Sequence, residues 1–265
     1  MAETFPAVRP ERPEGERQYN LWREDVPVKM RQKGSRAEVV VPVYRRRSTS
    51  EAKSFWVLGF GAGSRAIRNV VEAQNNQRLE SAAVVLPYHK VPYEFMDNFT
   101  EEAVPQVIQQ MSKEKYVTLA GDSRGAGAAI RGGGNAPDWI KAAGFLEPAF
   151  LTTMGKNPDE SFRQLLLRLV KLNPPRLEHP FGLGAIQTGL GMVKELGYLG
   201  FTQGPVKLKQ AIELVTDPKV VERTVISLGM LVNANVPVRI WAGERDPVFP
   251  PSEIRATLAP LGLDY

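Results

Sequence analysis

The chain contains no cysteine. That excludes disulfides, thiol nucleophiles and thiolate metal sites, and it leaves the compartment open, because secreted proteins can also lack cysteine. Two histidines, His89 and His179, are too few for a metal centre built on several imidazoles. No segment reaches the ~18 consecutive apolar residues of a membrane-spanning helix. Residues 1–20, "MAETFPAVRPERPEGERQYN", mix both charges with prolines and lack the apolar centre of a signal peptide. A soluble, cytoplasmic protein is expected, with an extended or disordered arm over residues 1–36.

Charge of one sign is not concentrated either. Lys and Arg number 34 against 29 Asp and Glu, a net charge of +5, scattered along the chain instead of forming the basic stripe of a nucleic-acid binder. The one tight run, Arg45-Arg46-Arg47, follows a strand-like segment and reads as a solvated turn. What is present is core-forming material: 265 residues, 43% of them hydrophobic, suffice for one large domain with an insertion.

From Ala37 onward short apolar runs alternate with helical patterns, which predicts an α/β protein with a mostly parallel sheet and flanking helices. "AEVVVPVYR" and "SFWVLGFG" read as the first strands, joined in hairpin fashion across a polar turn. Ala66, Ile67, Val70, Val71 and Ala73 share a helical face, with Ser64 as an available N-cap. "SAAVVLPY", "YVTLAGDS" and "AAGFLEPAF" are further strands. Between the first two of these, "TEEAVPQVIQQMSKEK" predicts a helix opened by Thr100, whose start Pro105 restricts. The core thus runs over residues 37–150. Residues 151–235 break the rhythm with long amphipathic and glycine-rich stretches, and predict a helical cap insertion. "VPVRIWAGERDPVFP" and "PSEIRATLAPLG" return to strand and helix, so residues 236–265 form the second part of the core.

In "VTLAGDSRGAGAA", Gly121, Ser123 and Gly125 fit G-x-S-x-G between a strand and a helix. Such a turn projects the serine hydroxyl and requires small neighbours. The competing reading is a small-residue crossing of helix and sheet. A helix starting after Ser123 would aim its N–H groups at the serine.

With "GDSRG" in mid-chain, a helical insertion and then "GERDP", the sequence resembles the α/β-hydrolase family over about residues 37–265. The resemblance implies Ser123 as nucleophile and Asp246 as the acid that orients a histidine, with Glu244 as the neighbouring competitor. It aligns Leu58-Gly59-Phe60 with the family's H-G-x segment, so the backbone N–H groups of Phe60 and Arg124 form the oxyanion hole. It implies hydrolysis of an ester, thioester or amide, with no metal and no organic cofactor. The substrate is expected to be a small molecule with an apolar acyl or aromatic part, and the oligomeric state is open. Arg124, where a small residue is commoner, has the alternative role of meeting an anionic group.

The family places its histidine after the acid, and none follows Asp246. Three explanations are open: a last strand, histidine loop and helix beyond Tyr265; His179 acting from the cap; or a fold that has lost catalysis and binds a ligand or partner. His89 falls near a strand end but on a different element. A rival reading takes Gly59, Gly61 and Ser64 as a dinucleotide fingerprint with Glu80 as its acid.

Overall fold

The computed structural model describes residues 21–32, 34–46, 51–59, 64–76, 80–149, 151, 217–244 and 249–263. Within them a seven-stranded sheet has the order β1-β2-β4-β3-β5-β6-β7. β1 (Leu21–Gln32) and β2 (Ser35–Arg46) form an antiparallel hairpin. Gly34, at φ +85°, makes its turn. Val26, Val28 and Met30 on β1 and Val39, Val41 and Val43 on β2 alternate into the core, and each valine so buried contributes about 1.5–3 kcal/mol. The period-2 alternation holds this register, because a one-residue slip would turn every valine outward.

β1 lies inside the stretch expected to be a free arm, so residues from Leu21 onward, and not only from residue 37, belong to the core. The expected hairpin of the second and third strands is also corrected. β2 pairs antiparallel with β4 (Ser81–Val84), and β3 (Ser54–Val57) lies beyond β4. Arg45 bonds Glu24 across the first hairpin at 2.8 Å, while Arg47 lies outside the described residues.

The remaining pairings, β3 with β4 and β5, then β5 with β6 and β6 with β7, are all parallel. β5 is Val117–Asp122, β6 Ile140–Leu146 and β7 Val238–Trp241. Helix α1 (Ser64–Asn76) packs Ile67 and Val71 with Leu58 and Ala83 on one face of the sheet. α2 (Phe99–Met111) and α3 (Ser123–Asn135) share the main core with Phe55, Leu119 and Phe145 on the other.

Proline sits inside α2. Pro105 has no N–H for the carbonyl of Glu101, one turn earlier, and the side-chain amide of Asn135, at the end of α3, donates to that carbonyl at 2.9 Å. The helix survives its proline because a neighbouring helix supplies the missing donor. On its other side α2 lays Glu102, Gln106 and Gln110, spaced one turn apart, along the outer edge of β1. Arg31 N–H donates to the Glu102 carboxylate, and Gln110 Nε2 donates to the Pro27 carbonyl at 2.9 Å.

α4 (Pro218–Asn233) opens with Asp217 as N-cap, accepting from Lys219 N–H at 2.9 Å. It packs on α3 so closely that a Cβ on Gly134 would stand 2.6 Å from Ser227 Cβ. Leu228 and Leu231 are fully buried there. α4 therefore belongs to the core layer, although its sequence falls in the expected cap insertion; the rest of that insertion, residues 152–216, lies outside the described residues. α5 (Pro251–Leu258) adds Ile254 and Leu258 to the main core. Among the described residues no helix is long and apolar enough to cross a membrane.

Candidate active site

The chain leaves β3 through α1 to β4 on one side, then returns to place β5 on the other side of β3. A parallel sheet opens a crevice at such a reversal, beyond the carboxyl ends of the two strands. Val57 pairs with Gly121, so β3 and β5 end side by side. Gly59 follows one of them and Ser123 the other.

Ser123 is the first residue of α3 and has φ 51°, in the left-handed region. For a residue with a Cβ this conformation costs about 1–3 kcal/mol, and such strain collects at functional sites. Its flanking glycines are required sterically. A Cβ on Gly121 would stand 2.8 Å from Ala126 N, and one on Gly125 would stand 2.5 Å from the Leu58 carbonyl carbon. The small residues let α3 cross β3 and β5 closely, and Ser123 stands at the turn where that crossing begins.

The turn is braced from both neighbouring strand ends. Ala149 N–H, just past β6, donates to the Ser123 carbonyl at 3.0 Å. On the β3 side a Cβ at Gly59 would lie 3.2 Å from Ser123 Cβ and 2.8 Å from Asp122 Oδ2. Asp122, the last residue of β5, lies on the same face as Trp56 because Trp56 pairs with Ala120, two residues before it. Trp56 Nε1 donates to Asp122 Oδ1 at 2.8 Å, and Gly59 N–H donates to the same carboxylate. Burial pushes the Asp122 carboxyl above the usual aspartate range, and these donors only partly offset the desolvation.

Arg124 is 4% exposed. Its guanidinium carbon lies 3.7 Å from the Tyr88 ring centroid, a cation–π stack. Tyr88 in turn meets Phe99 edge to face at 5.5 Å. The side chain is thus held in a packed stack, with its guanidinium over the Tyr88 ring. Its main-chain N–H lies in the first turn of α3, where a helix has no internal acceptor for it.

Phe60, Asp246 and His179 lie outside the described residues. The structure brings together Ser123, Arg124 and the Leu58–Gly59 strand end, and sequence reasoning missed Asp122 and Trp56. The signal for that pair was the strand period in "SFWV" and "LAGD", which puts an indole and a carboxylate on one face of adjacent strands. Glu244, the competing acid, is exposed. Glu80 precedes β4 and pairs with Lys53 at 3.1 Å, at the opposite end of the sheet from Gly59. A dinucleotide acid belongs at the carboxyl end of that strand, and the rival fingerprint loses its acid on this ground.

The architecture matches known structures over most of the chain. A candidate lipase from Acinetobacter baumannii superposes with a TM-score of 0.59 at 13% identity, over 97% of this chain and 87% of that one. A candidate aryl esterase from Burkholderia cenocepacia gives 0.55 at 14% identity, over 90% and 86%. An α/β hydrolase from a sediment metagenome of the Mar Chica lagoon, Morocco, gives 0.51 at 14%, over 86% and 81%. No protein-family model matches the chain, and no curated protein sequence does. The chain has the α/β-hydrolase fold.

Proposed function

We propose that the protein is a serine hydrolase that cleaves an ester, thioester or amide through an acyl-enzyme on Ser123. The observation that carries this reading is the conformation of Ser123, left-handed at the junction of β5 and α3, at the point where the strand order reverses. Its Oγ attacks the substrate carbonyl carbon and its proton passes to a base. The negative charge that develops on the carbonyl oxygen accepts from the Arg124 and Phe60 main-chain N–H groups and gains from the positive end of α3. The leaving group departs with a proton, and water then releases the acyl group. Asp246 is the acid that orients the base. The substrate is a small molecule with an apolar acyl or aromatic part.

A second reading is a non-catalytic binding or scaffold protein on the same fold, since the fold alone does not fix the function. A fluorophosphonate probe separates the two. Covalent labelling that disappears in Ser123→Ala supports the hydrolase, whereas an unlabelled wild-type protein supports the binding protein. Replacing His89 and His179 by glutamine, one at a time, reports whether either imidazole takes the serine proton.

A further inference from the structure

The carboxylate of Asp122 is unusual for a residue that caps nothing. It stands at the N-cap of α3, yet makes no capping bond to the helix. Its oxygens turn instead toward β3, where Trp56 Nε1 and Gly59 N–H both donate to it. Trp56 belongs to the strand and Gly59 to the loop that leaves it, so one carboxylate ties the strand, the loop and the serine turn together. The tie is close: a Cβ on Gly59 would stand 2.8 Å from Asp122 Oδ2, so any side chain there would displace the carboxylate.

We propose that Asp122 is a positioning residue, which fixes the end of β3 against the serine turn by binding the Trp56 indole and the Gly59 N–H. The inference rests on the hydrolase reading of Ser123. It has a chemical corollary for the oxyanion. The Gly59 N–H is committed to a carboxylate and is not a donor to substrate, so transition-state charge must be met by other main-chain groups, the Arg124 N–H first among them. Misplacing such donors costs rate in the chemical step and leaves ground-state binding largely unchanged. The carboxylate is also expensive where it stands, since burial outweighs its hydrogen bonds and raises its pKa. A group placed at such a cost is accounted for by what it holds in position.

The test uses the full chain, p-nitrophenyl butyrate turnover and fluorophosphonate labelling. Trp56→Phe removes the indole donor and keeps the ring plane, and Asp122→Asn leaves one accepting oxygen in place of two. Both variants are expected to fold, to lose about tenfold in kcat with KM within about twofold, and to label more slowly in proportion. Trp139→Phe is the control, at the other end of the sheet before β6 and under Lys115, and keeps wild-type kcat. Wild-type kcat in a folded Trp56→Phe and a folded Asp122→Asn overturns the positioning role while leaving the hydrolase reading intact. If Asp122→Asn fails to fold, Trp56→Phe decides alone. Loss of folding in both shows that the pair holds the fold and not the site, and overturns the inference too. A wild-type protein with no Ser123-dependent labelling removes the hydrolase reading, and this inference with it.

Discussion

Gln106 on α2 binds both main-chain groups of Lys29 on β1: Lys29 N–H donates to its Oε1 at 2.9 Å, and its Nε2 donates to the Lys29 carbonyl at 2.8 Å. A single side-chain amide thus stands in for the next strand. Gln106→Leu leaves both backbone groups without it and should destabilise the protein by about 1–2 kcal/mol in urea unfolding. Because the open edge can then pair with another chain, the variant should also form concentration-dependent oligomers by light scattering. Unchanged stability would mean that water replaces the amide at no cost.

Gly125→Ala should damage the site and the fold together. The added methyl meets the Leu58 carbonyl carbon at 2.5 Å, so β3 or α3 must shift. Overpacking of this kind costs about 1–3 kcal/mol. Folded Gly125→Ala should label with fluorophosphonate at least tenfold more slowly than wild type, since the shift separates the serine turn from the β3 end.

Pro105 and Asn135 should be energetically coupled. Asn135→Ala removes the donor to the Glu101 carbonyl and should cost about 1 kcal/mol. In a Pro105→Ala background the same change should cost less, because the new N–H of residue 105 takes that carbonyl. A double-mutant cycle by thermal or urea unfolding measures the difference, and strict additivity would remove the coupling.

Asp122 sets a pH dependence of stability. Its folded-state pKa is raised, chiefly by burial, so between its unfolded and folded values the native state keeps a proton that the unfolded state has lost. Stability from this group is complete below the unfolded aspartate value, falls as pH rises through the folded value, and is then constant. Asn at this position does not titrate. The stability of Asp122→Asn relative to wild type should therefore increase with pH across that window and then level off, as read by urea unfolding at a series of pH values.

The sequence made the parallel strands and the serine turn legible because those features have local signatures. "VTLAGDSRGAGAA" changes from a β-branched run to small residues within a few positions, and the packing of Gly121 and Gly125 explains why the residues there must be small. The helix over "TEEAVPQVIQQM" was also legible, starting at Phe99 and running through Pro105 because Asn135, distant in sequence, compensates the proline. Strand pairing was not legible. β1 looked like an arm because its polar face carries charges, and its alternation registers only against β2. The layer to which α4 belongs depends on Ser227 meeting Gly134, a contact between segments far apart in the chain. Asp122 escaped notice for a related reason: its partners lie on another strand, and a lone aspartate before the serine carries no mark of them.

The sealed edge of β1 bears on synthesis. Lys29 and Gln106 are 77 residues apart, so the hairpin is made long before the helix that closes it. Until α2 has been translated, the nascent chain presents a 12-residue strand with an unpaired side, the kind of edge through which growing chains on one messenger join each other. Pro27, which has no N–H to offer at that edge, gives a measure of protection in the interval.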